Sequence, residues 1–123
     1  MTGKNIRRLS VLAVLALFAA LQPVAGHAIL VESSPAANST VKGPNVLVKL
    51  RFNSRIDGSR SRLTLVLPDG TTQVLKLGEQ ASPDTLSSDA TGLKAGGYKV
   101  RWQVLATDGH ITRGEFAFTV AGS

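Results

Sequence analysis

The 123-residue sequence contains no cysteine, and its single methionine is the first residue. Without cysteine the chain can form no disulfide and offers no thiolate ligand to a metal. Without an internal methionine it offers no thioether ligand beyond its first residue. A domain built from this chain must therefore be held together by its hydrophobic core, and a metal site in it must use nitrogen and oxygen donors.

The sequence also lacks long helical patterns, blocks of like charge and a second long apolar segment. No stretch keeps an apolar repeat of 3.6 residues, which argues against amphipathic helices. Lysine and arginine number 14 against 8 acidic residues, giving a formal net charge of +6, but the cations are scattered along the chain. Such a distribution provides no basic patch for a nucleic acid.

The N-terminal region has the order of features that is typical of a secretory signal peptide. Three basic residues precede an apolar run over residues 11–21, and a proline follows it: Lys4, Arg7, Arg8 and Pro23. The run falls within the roughly 7–15 residues of a signal-peptide apolar region and is shorter than the ~20 needed to span a bilayer. We therefore expect export to the periplasm, with no membrane span in the mature chain.

The small residues after this run allow cleavage in two registers. Val24 and Gly26 at positions −3 and −1 predict a signal peptide over residues 1–26 and one domain over residues 27–123. Gly26 and Ala28 would serve as well, and that cut would remove His27. The adjacent arginines near the start also admit the twin-arginine export route as an alternative to the general one.

The remaining sequence alternates between apolar and polar residues and is interrupted by turn residues, a pattern typical of β-strands. Seven strands are predicted, at residues 28–33, 46–52, 62–67, 72–77, 85–88, 98–106 and 111–120. Short strands separated by turns favour an all-β, antiparallel sandwich. Its core is expected to contain Val48, Leu50, Phe52, Val100, Trp102, Val104, Phe116 and Phe118.

The two histidines of the chain, His27 and His110, are the main candidates for chemistry. Asp108 stands two residues before His110, and residues i and i+2 of a strand point to the same face, which would place a carboxylate beside an imidazole. If the mature chain begins at His27, its α-amino group and imidazole add two nitrogen donors. Four nitrogen and oxygen donors without sulfur suit Cu(II). On the alternative interpretation, Asp108 and Gly109 only form a hairpin turn.

Three segments of the sequence carry a resemblance to a known family: residues 27–36, residues 93–102 and Asp108-Gly109-His110. Together they resemble the CopC family of copper-resistance proteins over essentially all of residues 27–123. The resemblance implies a periplasmic, seven-stranded Greek-key β-sandwich of the immunoglobulin-like or cupredoxin-like kind. It also implies one Cu(II) per domain, held by His27 through its amine and imidazole, by Asp108 and by His110.

The sequence departs from the family pattern in two places. Some members carry a glutamate ligand shortly after the phenylalanine that matches Phe52, whereas Asn53, Ser54 and Arg55 stand there in this chain. The coordination sphere would then be completed by the amine or by water. Some members also carry a methionine-rich Cu(I) site, which residues 27–123 cannot form. The resemblance therefore implies a domain that binds Cu(II) alone.

Three functions are compatible with these features. The first is a periplasmic Cu(II) carrier or buffer for copper homeostasis and resistance, delivering copper to a membrane protein resembling CopD, which often accompanies this family. The second is a small copper enzyme with a histidine brace. Asp108 would occupy a position that oxygen chemistry leaves open, so we expect no catalytic role. The third is a metal-free interaction module of immunoglobulin-like fold, which needs neither histidine.

We predict that the exported protein begins at His27, because Val24 and Gly26 suit the signal peptidase. The intact mass of the mature protein distinguishes the two cleavage registers directly. A mature chain that starts at Ile29 would contradict the prediction and would remove the terminal chelate.

Overall fold

The computed structural model describes residues 28–122, which form two β-sheets around one apolar core. The strands are β1 (Leu30–Ser34), β2 (Thr40–Lys42), β3 (Val46–Phe52), β4 (Arg62–Val66), β5 (Thr72–Leu75), β6 (Thr85–Ala90), β7 (Gly96–Leu105) and β8 (Ile111–Ala121). One sheet has the order β1-β3-β6, and the other has the order β2-β8-β7-β4-β5. A single 3-10 turn, Gly58–Arg60, precedes β4. The predicted all-β sandwich is confirmed.

The structure contains one strand more than the sequence predicts. β2 has only three residues, too few to show an alternating pattern, and it begins at Thr40, inside a segment of turn residues. It pairs in parallel with β8, with Thr40 opposite Thr119, while the other strand pairs are antiparallel within the described residues. The described residues therefore add this one short strand, paired with a distant segment, to the seven that the sequence predicts.

Alternation along the strands decides which side chains form the core. β3 is the clearest case, since Val46, Val48, Leu50 and Phe52 are buried and the residues between them are exposed. Each such side chain contributes about 1.5–3 kcal/mol when it is fully removed from water. Seven of the eight predicted core residues are buried: Val48, Leu50, Phe52, Val100, Val104, Phe116 and Phe118.

Trp102 is the exception, because it is only partly buried and packs against the margin of the core. Its indole meets Phe52 edge to face, with ring centroids 5.3 Å apart and an interplanar angle of 74°. Gly114 stands directly opposite on β8, and a Cβ atom added there would overlap the indole ring. Trp102 therefore packs against the core and does not lie inside it, which corrects its prediction as a core residue. The indole instead lies over a strand position that has no side chain.

We expect Gly114→Ala to destabilise the fold by about 1–3 kcal/mol, the range for overpacking, because the indole must move. Gly97→Ala is the matched control, since a Cβ there meets nothing within 4 Å. Thermal unfolding measures the stability difference, and fluorescence of the single tryptophan reports movement of the indole. Equal melting temperatures for the two variants would contradict the packing of Trp102 on Gly114.

Candidate metal centre

Asp108 and His110 lie in the turn that joins β7 to β8. The Gly109 N–H donates to the Ala106 carbonyl at 2.9 Å, and the Ala106 N–H donates to the His110 carbonyl at 2.9 Å. Gly109 has a φ of 95°, in the left-handed region that three-residue hairpin loops place at glycine. Asp108 and Gly109 therefore do form a hairpin turn.

The same turn brings the side chains of the candidate ligands Asp108 and His110 together. Asp108 Oδ1 accepts the backbone N–H of His110 at 3.1 Å, and Asp108 Oδ2 lies 3.0 Å from His110 Nδ1. The expectation that the two side chains lie side by side is met, but its reason is wrong: they are neighbours in a turn and do not share one face of an extended strand. The carboxylate both closes the turn and fixes the imidazole.

This contact determines which ring nitrogen faces away from the carboxylate. In the neutral tautomer in which Nδ1–H donates to Asp108, the lone pair of the His110 ring is on Nε2. Carboxylates commonly orient metal-binding imidazoles in this way. The side chains of His110 and Asp108 are 54% and 36% exposed, so a metal ion reaches both from solvent.

The loop after β3 supports this turn from one side. The Thr107 N–H donates to the Arg55 carbonyl at 3.2 Å, and the Asp57 N–H donates to the Leu105 carbonyl at 2.8 Å. Between them, buried Ile56 forms a β-bridge with buried Ala106. The turn is therefore anchored along its backbone and not only at its two strands.

Asp57 fixes the far end of that loop. Its carboxylate accepts hydrogen bonds from the hydroxyl and the N–H of Ser59, at 2.7 and 3.1 Å, and thereby caps the 3-10 turn. The Ser59 hydroxyl, with smaller contributions from Arg60 and the backbone, holds the pKa of Asp57 below its ordinary value although burial opposes this. The loop is therefore capped by an ionised carboxylate at neutral pH.

The first described residues reach the same end of the sandwich. Thr112, two residues after His110, donates its hydroxyl to the Ala28 carbonyl at 2.9 Å. Ile29 and Asn53 are joined twice, by the Ile29 N–H to Asn53 Oδ1 at 2.8 Å and by the Asn53 N–H to the Ile29 carbonyl at 2.9 Å. Ala28 is 2% exposed. The chain is thus fixed beside the β7–β8 turn immediately after residue 27.

The three predicted ligands differ in what the structure says of them. Asp108 and His110 are brought together, whereas His27 lies outside the described residues. Within residues 28–122 no group of three or more His, Cys, Asp or Glu side chains is close enough to hold a metal. The pair therefore supplies two donors, and the ligand roles of all three residues stay predictions.

Sequence reasoning missed the residues that build the surroundings of this turn. In the sequence, Asn53 stands out only because it lies where some family members have a glutamate ligand. In the structure, its amide oxygen accepts the Ile29 N–H and holds the N-terminal segment. Thr112 carries no motif, and alternation alone places it on the inner face, opposite Val104. Both act through hydrogen bonds between residues far apart in the chain, which no local pattern reveals.

The family model for the CopC domain matches residues 30–121. Protein YobA of Escherichia coli K12 is 31% identical over 122 residues, which cover 97% of each chain. The crystal structure of CopC from Methylosinus trichosporium OB3b is similar with a TM-score of 0.70 and 35% identity, over 78% of this chain and 95% of that one.

A second solved structure supports the same relationship. PcoC from Escherichia coli, described as a methionine-rich copper resistance protein, matches with a TM-score of 0.64 and 28% identity, over 77% of this chain and 99% of PcoC. The family match spans most of the chain, and both structural matches reproduce the two-sheet architecture. The chain belongs to the CopC family.

Proposed function

We propose that this protein is an exported Cu(II)-binding protein that serves copper homeostasis and resistance as a carrier or buffer. One observation carries the proposal: Asp108 and His110 form a fixed carboxylate–imidazole pair at the end of the sandwich where Ala28 is also anchored. His27 is bonded to Ala28, and consecutive Cα atoms are about 3.8 Å apart. A mature chain that begins at His27 would carry its amine and imidazole on the residue next to this anchored position.

The proposed site holds one Cu(II) through the His27 amine and imidazole, Asp108 and His110. Nitrogen and oxygen donors without sulfur favour Cu(II), which also has the highest affinity for such ligands among neighbouring divalent metals. Each carboxylate oxygen has two lone pairs, so the contact between Asp108 and His110 still allows Asp108 to bind the metal. The copper resistance protein PcoC, a relative, supports copper as the cargo.

The oxidation state follows from the donors that the chain supplies. PcoC is described as methionine-rich, whereas this sequence has Met1 and no other methionine, and no cysteine. Cu(I) prefers soft thiolate and thioether ligands. We therefore infer that this member of the family is specialised for Cu(II).

The missing glutamate ligand is consistent with a smaller coordination sphere. Asn53 stands in this part of the chain, and both its amide oxygen and its backbone are engaged with Ile29. Asn53 thus acts as a clamp on the N-terminal segment. The terminal amine or a water molecule completes the coordination of the metal.

We place the protein in the periplasm, after removal of residues 1–26, and expect it to pass copper to a CopD-like protein of the inner membrane. In residues 28–122 no helix is long and apolar enough to cross a membrane. An equatorial carboxylate from Asp108 leaves little room for oxygen at the copper, so we infer a binding role and no catalytic one.

Adding one residue before His27 should displace the terminal amine from the copper while leaving every side chain intact. We expect electron paramagnetic resonance to show tetragonal Cu(II) with nitrogen coupling in the native protein and a changed spectrum in the extended form. His110→Ala should weaken Cu(II) binding more than Asp108→Asn, for which we expect about a 10- to 100-fold loss.

Asp89→Asn is the control for the charge change, since Asp89 is exposed on β6, away from the β7–β8 turn. Identical spectra and affinities for the native and extended forms would exclude the amine as a ligand. Copper binding that survives both His27→Ala and His110→Ala would overturn the proposed site.

Cu(II) affinity should fall as the pH is lowered through the range in which histidine side chains take up a proton. The sign follows from competition: a protonated imidazole has no lone pair for a metal, so acid favours release and neutral pH favours binding. Titration with a competing chelator at several pH values measures the effect, after correction for the chelator's own protonation. An affinity independent of pH would argue against imidazole ligands.

A further inference from the structure

We propose that the outer face of strands β4, β7 and β8 is the surface on which an acidic partner protein docks to receive copper. We call it the docking face and define it by Arg62, Lys99, Leu105, Arg101, Ile111 and Arg113. The proposal rests on the proposed function, because it concerns transfer from the site in the adjoining turn. It adds the surface used and the chemical class of the partner.

The strand register sets the cations of this face in rows. Arg62, Gln103 and Arg113 stand opposite one another on the three strands. In the next row, Arg101 stands between Thr64 and Glu115. A shallow cleft of about 360 Å³ lies among these residues. The arginines thus surround a shallow cleft that is open to solvent.

The charges on this face are strongly unbalanced. Residues 62, 64 and 66 of β4, with the residues opposite them on β7 and β8, form three rows across this face. Glu115 is the one carboxylate in these rows, and it forms an ion pair with Arg101 at 3.0 Å. Arg113 donates to the Gln103 amide oxygen at 2.9 Å, which holds its guanidinium at the surface. Guanidinium groups bind carboxylates through two parallel hydrogen bonds, so this surface fits a partner that presents aspartate and glutamate.

The face continues directly to the candidate metal centre. The last pair of the β7–β8 ladder is Leu105 opposite Ile111, and Ile111 is 51% exposed. His110 is the next residue along the chain. Ile29, which is 56% exposed, adjoins the Ala28–Thr112 contact at the same end. A partner seated on the arginines would cover Leu105 and Ile111 and reach the proposed copper ligands in the adjoining turn.

A second copy of this chain does not fit the face. A two-fold contact would place the arginine rows of the two copies against each other, and like charges in contact disfavour association. An anionic membrane fits less well than an acidic protein. The usual aromatic anchor is only partly available, since the single tryptophan lines the cleft but is partly buried and packs on Phe52 and over Gly114.

The test measures Cu(II) transfer from the loaded protein to two synthetic acceptor peptides. Both peptides carry the same amino-terminal copper-chelating sequence, followed in one by a tail of glutamates and in the other by a tail of serines. At low salt we expect transfer to the acidic peptide to be about tenfold faster or more, with the difference shrinking as salt screens the charges.

Arg62→Glu combined with Arg113→Glu should abolish this preference while leaving Cu(II) affinity and the melting temperature near their native values. Lys49→Glu combined with Lys94→Glu is the matched control, because it changes the net charge equally at exposed positions outside the docking face. The control variant should keep the preference for the acidic peptide.

The outcomes separate the two proposals. A protein that binds no Cu(II) overturns the proposed function and the docking face with it. A protein that binds Cu(II) but transfers it equally fast to both peptides overturns the docking face alone. Equal loss of preference in both double variants also overturns it, since net charge then explains the effect. Sedimentation with phosphatidylglycerol vesicles that depends on Arg62 and Arg113, without any peptide preference, assigns the face to a membrane instead.

Discussion

The pairing of β7 with β8 is the constraint on which the rest of this structure depends. Their ladder runs from Gly96 opposite Val120 to Leu105 opposite Ile111. Because side chains alternate with a period of two, a slip of one residue would turn every one of them to the other face. The observed register places Trp102 over Gly114. It also turns Arg101 and Arg113 to the outer face of the sheet and puts the Asp108–His110 turn at one end of the ladder.

A second constraint is the attachment of the first described residues beside the β7–β8 turn. The Ala28 carbonyl and the Thr112 hydroxyl join the first described residue to β8, and Asn53 joins Ile29 to the end of β3. Each hydrogen bond contributes about 0.5–1.5 kcal/mol net. A chain without disulfides therefore relies on a few hydrogen bonds and on the burial of Ala28 to hold its N-terminal segment near the turn.

The features that the sequence predicts well are those with a local physical signature. Alternation in β3 gives its inner face residue by residue, and the Asp108-Gly109 pair gives the hairpin turn. The all-β sandwich follows from such signals together. A three-residue strand such as β2 is too short to show an alternating pattern, and it is a strand because it pairs with β8.

In the candidate site, too, local contacts could be predicted from the sequence, whereas long-range contacts could not. Asp108 and His110 are only two residues apart in sequence, so their proximity is predictable even though they lie in a turn and not on an extended strand. Trp102 is misjudged because its exposure depends on Gly114, the residue opposite it on another strand. Asn53 is misjudged because its amide contacts a residue at the start of the domain. In both cases a long-range contact overrides the local pattern.

The exposure of the proposed copper ligands bears on whether this protein would store or transfer copper. A storage site gains from burying its ligands, because exclusion of solvent and of other donors slows ligand exchange. Here the His110 side chain is 54% exposed, and its backbone carbonyl closes the turn that leads to Ile111. An incoming donor would therefore reach a metal held by His110 without unfolding the hairpin. A partner docked on the arginine rows, as proposed, would present that donor beside His110, so ligand exchange would be a step within a complex and free copper need not be released.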